Sequence, residues 1–307
     1  MYEQYYGLRE RPFDLSPNPR FLCFTPQHTE ALTHLKYGLS GRPGITMLVG
    51  EAGTGKTTLV RAALRSSANS STIVHLSNPT LTREEFFDYL AVGFGFSSEA
   101  GRSKVHFLRE LELALMREAA DKHVLALVVD EAQSVPYELL EEIRLLTNVE
   151  TASGRSLALA LVGQPELAHR LEEPRLRQLK QRVVLRCELT PLSLKETAAY
   201  ISGRVKTAGG DAARLFSRDA VTAIHGRSKG IPRIISVICD NALVNGFAAD
   251  QKPVGATTIA EVCKTLSFEA ASDQVHAAAP PMRESVPDDA RAPMFAGFAR
   301  VRRFSFF

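Results

Sequence analysis

Cysteine is scarce in this sequence. Four residues in 307, Cys23, Cys187, Cys239 and Cys263, stand far apart with no C-x-x-C pair among them. That spacing excludes a zinc ribbon and a dithiol redox motif, and free buried thiols in a reducing compartment are the expectation. No apolar run approaches the length needed to cross a bilayer. The first residues carry Glu3 and Arg9 among aromatics in place of an apolar leader. An excess of one charge is also missing: 37 basic against 34 acidic side chains leave +3, too little to argue by itself for nucleic acid or a membrane surface. A soluble, cytoplasmic protein is expected. Hydrophobic residues at 45% and charged residues at 23% give an ordinary globular composition, and the chain is long enough for two compact domains.

The most informative stretch is Gly50-Glu51-Ala52-Gly53-Thr54-Gly55-Lys56-Thr57, followed by Thr58. It fits the phosphate-cradling pattern G-x-x-x-x-G-K-[ST]. An apolar run, Ile45–Val49, precedes it as a buried strand, and Thr58 to Leu64 follows it as a helix with Leu59 and Ala63 at core spacing. Glycines allow the tight turn that points successive N–H groups at phosphate oxygens, and the helix start adds partial positive charge. Lys56 has the reach for the outer phosphates, and the Thr57 hydroxyl suits Mg2+. An accidental glycine-rich turn is the plainer alternative, and the flanking strand and helix argue against it.

The second informative stretch is Val124–Val129 followed by Asp130-Glu131. An apolar run ending in acids describes a buried parallel strand whose carboxyl end meets a ligand crevice. Asp130 is the expected Mg2+ holder, and Glu131 the group that polarises an attacking water. Adjacent residues on a strand face opposite ways, so the two carboxylates are expected to differ in role. Leu157–Val162 reads as another buried strand, closed by Gly163-Gln164-Pro165-Glu166, with Gln164 as the polar side chain at its end. The run from Leu171 to Arg182 holds Arg175, Arg177, Lys180 and Arg182. A solvated basic helix is the default reading, and an arginine reaching into a neighbouring subunit's site is the sharper one. Val183–Cys187 reads as the last strand.

Around these lie weaker signals. Met1 to Arg20 combines Tyr2, Tyr5, Tyr6 and Phe13 with Pro12, Pro17 and Pro19, which argues against a helix and for a segment packed on something. Thr25-Pro26 caps a helix with Leu32, Leu35 and Leu39 inward and Gly41 at its end. Arm and helix together are placed as one wall of a base-binding pocket. Thr72–Leu76 reads as a strand. Thr82 to Glu85 forms a capping box ahead of a short helix that Gly93 and Gly95 break, and Ser103 to Ala120 as an amphipathic helix. His75 and His106 read as ordinary structural histidines. From Pro191 the pattern is helical only: Ser193 to Thr207, Ser217 to Gly226, a helix opened by Gly230-Ile231-Pro232-Arg233, and Thr257 to Glu269. Beyond Ala270 no periodicity remains, and Ala270 to Phe307 is read as a disordered tail.

Taken together, the phosphate loop, the Asp130-Glu131 strand, Gln164 and Gly230-Ile231-Pro232-Arg233 resemble an AAA+ ATPase. Four stretches narrow this further: Tyr5 to Phe13, the phosphate loop, Asp130-Glu131-Ala132-Gln133 and Val162 to Leu167. They resemble the ExeA/GspA-type secretion ATPases, and within them the branch encoded with exosortase (PEP-CTERM) and exopolysaccharide loci. The resemblance implies an α/β P-loop fold with a parallel five-stranded sheet in the order 5-1-4-3-2 and a small all-α lid. It implies an arm over 1–24, a core over 25–190 and a lid over 191–269. It further implies ATP and Mg2+ as ligands, Gln164 as first sensor, Arg233 as second sensor reaching the γ-phosphate from the lid, and a homo-oligomer with an arginine finger in trans, a position Arg182 fits better than Arg177. Members of that family often continue into a membrane span and a peptidoglycan-binding domain, which this sequence does not show.

The expected function is ATP hydrolysis that energises or assembles a membrane-associated secretion or polysaccharide export system, at the inner membrane through a partner. The alternative is a DNA-handling AAA+ ATPase of transposition or replication-initiator type, against which stands the lack of a strong basic patch or helix-turn-helix.

Overall fold

The computed structural model describes residues 1–15, 19–21, 25–40, 44–67, 71–120, 123–151, 154 and 156–267. The readings of Pro17, Cys23, Gly41, the helix end at Glu269 and the tail from Ala270 onward fall outside them. In chain order the elements are α1 (Tyr2–Tyr6), α2 (Pro26–Gly38), β1 (Ile45–Gly50), α3 (Lys56–Ser67), β2 (Ser71–Leu76), α4 (Arg83–Phe94), α5 (Ser98–Arg102), α6 (Lys104–Ala120), β3 (Val124–Val129), α7 (Tyr137–Leu146), β4 (Ala158–Gly163), α8 (Pro165–Leu171), α9 (Arg177–Lys180), β5 (Val183–Leu189), α10 (Leu194–Thr207), α11 (Ala212–Leu215), α12 (Arg218–Ser228), α13 (Pro232–Ala248) and α14 (Ala256–Thr265).

The five strands form one parallel sheet in the order β2-β3-β4-β1-β5, which is 5-1-4-3-2 read from the other edge. Sequence explains the placement. Every residue of β1 and of β4 is buried, as continuous apolar runs covered on both faces require. The edge strands β2 and β5 carry partly exposed and exposed positions between buried ones. One sheet face packs under α4, α6 and α7 through Phe86, Phe107, Leu111 and Ile143. The other packs under α2 and α3 through Leu35, Leu59 and Ala63.

A third core belongs to the helical bundle α10–α14, closed by the amino-terminal arm. Tyr2, Tyr6, Leu8 and Phe13 are buried against Ile201, Val205, Phe216 and Ile238. The arm is therefore packed, as its aromatics suggest, but it is not helix-free. Tyr2–Tyr6 makes a helical turn that Gly7 ends in the left-handed region, ahead of the first proline. Other boundaries also differ from the sequence reading: the last helix, α14, ends at Thr265, and the basic stretch from Leu171 to Arg182 is no single helix but α8's last residue, a 3-10 turn at Pro174–Leu176 and the short α9. Helix α2 ends at Gly38, and α4 runs through Gly93 to stop at Gly95, because Gly93 leaves just the space that Val74 fills. The caps read from Thr25 and Thr82 are made, and Ser193 and Ser217, read as helix starts, cap their helices as well; Thr82 and Ser193 form full capping boxes.

Candidate functional site

The phosphate loop fills the gap between β1 and α3. Gly53 and Gly55 have φ of 86° and 102°, and the loop is closed internally by Thr54 N and Oγ1, which both donate to the Glu51 carbonyl at 3.2 and 2.8 Å. At Gly53 a side chain is excluded twice, by the backbone angle and by Arg233, whose Cβ would lie 2.8 Å from an added Cβ. Lys56 is buried, and its Nζ donates to the carbonyls of Gly50 and Glu51 at 2.7 and 3.0 Å. Burial lowers its pKa, while the nearby Glu131 and Asp130 carboxylates oppose the shift.

Asp130 follows the end of β3, held by its N–H on the Leu76 carbonyl at 2.8 Å. Its side chain is buried and accepts from the Thr57 hydroxyl at 3.0 Å and from the Glu131 N–H at 3.0 Å. The two motifs read separately from the sequence thus meet side chain to side chain. Both carboxylates lie just past the strand, so it is not the pleat that separates them. Glu131 is in the left-handed region at φ 51°, and its carboxylate has partners of its own.

Glu131 is gripped by two amides. Its Oε2 accepts from Gln133 Nε2 at 2.6 Å and from Gln164 Nε2 at 3.4 Å, and Gln133 Oε1 accepts from the Gln164 N–H at 3.0 Å. Arg170 donates to the Gln133 carbonyl. Gln164, at the end of β4, therefore shares one hydrogen-bonded group with Glu131. Arg233 comes from the start of α13. Its N–H donates to the Gly53 carbonyl at 3.1 Å, which places the helical bundle directly on the loop.

A cleft of about 460 Å3 opens here, lined by the loop from Ala52 to Thr58 together with Glu131 and Arg233. Its far wall is Leu15 and Phe21 from the arm with Tyr200 and Arg204 from α10. Gly50 and Glu51 enter the site through their carbonyls. Neither Arg177 nor Arg182 lines this cleft. Arg182 stands before β5, its carbonyl accepting from Ile45 N at 2.8 Å and its guanidinium donating to Asn148 at 2.5 Å. That is the amino-terminal end of β1, about 16 Å of strand away from the loop. Arg175 stacks on Tyr137 instead, 3.0 Å from the ring centroid.

Sequence reasoning missed two positioning residues. Gln133 stood inside the acidic box and carried that signal. His28 carried none, because its partner is 26 residues away. Its Nε2 lies 3.2 Å from the Thr54 carbonyl and its Nδ1 2.6 Å from the Thr25 hydroxyl. A carbonyl only accepts, so Nε2 carries the proton and Nδ1 accepts from Thr25. Burial holds the ring below the ordinary histidine pKa, consistent with that neutral form. His75, called structural, also lies close, with Nε2 3.9 Å from Asp130 Oδ2.

The donor set fits a magnesium nucleotide. Hydroxyl and carboxylate are the hard oxygen ligands that suit Mg2+, and the positive-φ glycines expose backbone N–H groups where phosphate oxygens would lie. Sheet order, loop, acidic strand end and overlying helical bundle define the P-loop fold of the AAA+ class.

Residues 39–171 match the family model described as AAA domain. The chain is similar to general secretion pathway protein A of Aeromonas hydrophila, with 42% identity over 251 residues covering 81% of this chain. It spans 45% of the length of that relative. The fold is shared with Aeropyrum pernix ORC2 (TM-score 0.61, 18% identity, 87% of this chain and 73% of that one). It is shared equally with Cdc6p of Pyrobaculum aerophilum (TM-score 0.61, 16% identity, 87% and 74%).

Proposed function

We propose that the chain binds MgATP in this cleft and hydrolyses it, and that turnover energises or assembles a secretion or exopolysaccharide export system. One observation carries the first half: the Thr57–Asp130 hydrogen bond at 3.0 Å, which joins the phosphate loop to the acidic strand end in one crevice. In this reading the loop from Gly50 to Thr58 cradles the phosphates, with Lys56 on the outer ones. Thr57 and Asp130 hold the ion, and Mg2+ when bound supplies charge neutralisation at the phosphate oxygens. Glu131 polarises the attacking water, and Gln164 positions Glu131 and water together. Arg233 reports the γ-phosphate to the lid. Leu15, Phe21 and Tyr200 form the base wall. Arg182 completes the site of a neighbouring copy in a homo-oligomer. We divide the chain accordingly into an arm (1–24), a core (25–190) and a lid (191–269).

Glu131→Gln should retain ATP affinity and lose about 10²–10⁴-fold in turnover, the worth of a general base, while Lys56→Ala loses binding. Turnover of Glu131→Gln at the unmodified rate would sink the assignment. The secretion half rests on the named relative and on the four motif stretches, and the finer placement beside exosortase and exopolysaccharide genes on the motifs alone. In this reading the protein works in the cytoplasm and is held at the inner membrane by a partner. Deleting the gene should stop export in the native host, and a Glu131→Gln copy should fail to restore it. Undiminished export in the deletion strain refutes this half and leaves the ATPase half standing.

A further inference from the structure

On the α2 side of the sheet, away from the cleft, three side chains of unlike chemistry converge. Glu30 and His34 are four residues apart on α2 and so share one helix face. Cys187 lies opposite them on β5, in register with Leu48 of β1. One ligand atom from each of the three lies within 4.8 Å of the others, and His34 Nδ1 is 2.6 Å from Cys187 Sγ. Burial grades across the group: Glu30 is exposed, His34 half-buried and Cys187 buried.

We propose that Glu30, His34 and Cys187 form a binding site for a borderline-soft divalent cation of the Zn2+ class. Thiolate, imidazole and carboxylate are the ligands that Zn2+ takes, and the thiol argues against Mg2+ or Ca2+. Three protein ligands with one of them exposed leave the fourth tetrahedral position to water. Binding replaces the thiol S–H bond with an S–Zn bond and releases the proton to solvent. A tetrahedral ion would hold Sγ and Nδ1 about 3.5 Å apart, wider than the present 2.6 Å, so binding requires the His34 ring to turn outward.

The other contacts support a thiol awaiting a cation. Cys187 does not line the cleft, and its Sγ meets the His34 imidazole. A cation held there would take one ligand atom from each of the three side chains.

The site would staple α2 to the edge strand. That seam already carries the Gln27 amide, which donates to the Thr190 carbonyl at 3.2 Å and accepts from the Thr190 N–H at 2.9 Å. The same helix presents His28 to the phosphate loop, so the staple fixes the support behind the loop without entering it. The inference does not depend on the ATPase reading.

Co2+ is the probe, because a thiolate ligand gives it a near-ultraviolet charge-transfer band that an oxygen-only site at Thr57 and Asp130 does not. Titration of the full chain should show this band saturating at one equivalent, with Zn2+ displacing it and raising the thermal midpoint. Cys187→Ser should abolish the band. His34→Ala should weaken Co2+ binding at least about tenfold, the loss that even outer-shell partners of metal ligands produce. Glu30→Gln, at an exposed position that leaves the core intact, should weaken it less and serves if Cys187→Ser fails to fold. No charge-transfer band in the unmodified protein overturns the site. So does a band that survives in Cys187→Ser, or one indifferent to both His34→Ala and Glu30→Gln.

Discussion

The contact between Gly53 and Arg233 makes a quantitative test of how tightly the helical bundle is seated on the phosphate loop. In Gly53→Ala the new Cβ meets Arg233 Cβ at 2.8 Å and Ile231 Cγ2 at 3.1 Å, at a backbone φ of 86°. The angle alone costs about 1–2 kcal/mol for an L-residue. Relieving the clash by pushing the start of α13 outward adds about 1–3 kcal/mol of overpacking and strains the Arg233 N–H bond to the Gly53 carbonyl. The sum is about 2–5 kcal/mol. Gly95→Ala calibrates it: φ is 72° there, but nothing lies within 4 Å of an added Cβ, so only the backbone cost of about 1–2 kcal/mol applies. The change in unfolded-chain entropy is common to both and cancels in the difference. Equilibrium unfolding in urea of the two variants should separate them by about 1–3 kcal/mol. Equal loss in both would refute the claim that lid and loop are in tight contact.

Burial keeps His28 neutral, so above about pH 6.5 it is uncharged in the folded and unfolded chain alike. Below that the unfolded chain takes up a proton that the fold refuses, and stability falls with pH until the lowered folded pKa is reached. His28→Gln should flatten the dependence of the urea midpoint on pH in that acid window, and equal slopes would refute it. Gln133→Ala frees Glu131 from its 2.6 Å amide contact, and should lower turnover while leaving ATP affinity unchanged. A fall in affinity instead would put Gln133 in binding. If Arg182 acts in trans, mixing Arg182→Ala and Glu131→Gln copies, each inactive alone, should recover activity through interfaces that pair an intact Arg182 with an intact Glu131. Recovery with Arg177→Ala but not Arg182→Ala would move the finger.

Legibility followed how local the cause was. The phosphate loop, the acidic strand end and the caps at Thr82, Ser193 and Ser217 are written in a few consecutive residues each, and the structure has them where those residues fall. The order of the sheet is not local, and here it came from resemblance, because alternation and apolar runs say that strands are buried without saying beside which neighbour. The reading of the amino-terminal arm failed at Tyr2–Tyr6 because prolines were weighed over the whole stretch, although proline forbids helix only around itself. His28 and the Glu30–His34–Cys187 group were illegible for a different reason. Their partners lie 26 and 153 residues away, and the spacing Glu30 to His34 on an ordinary amphipathic helix gives no hint of what faces it.

The arm, which looked peripheral in the sequence, closes a path from the cleft back to the chain's first residues. Arg204 of α10 donates to the carbonyls of Pro12 and Asp14 at 2.6 and 2.9 Å and to the Tyr200 hydroxyl at 2.6 Å. Tyr200 in turn is 2.8 Å from Ser236 of α13. Further along α13, Asp240 accepts from the Tyr2 hydroxyl at 2.5 Å. The helix whose first turn touches Gly53 is therefore bonded about one turn on, through Tyr200 and Arg204, to the middle of the arm, and about two turns on, directly, to Tyr2 at its start. An outward shift of α13 that left the arm behind would break these bonds and open the core formed by Tyr2, Tyr6 and Phe13, whose buried side chains are each worth about 1.5–3 kcal/mol. Bundle and arm must move together, and in doing so they carry Phe21 and Leu15, the base wall of the proposed site, along with Arg233. A change at the phosphates would then be felt at the base end of the same cleft through side chains that cannot part company cheaply.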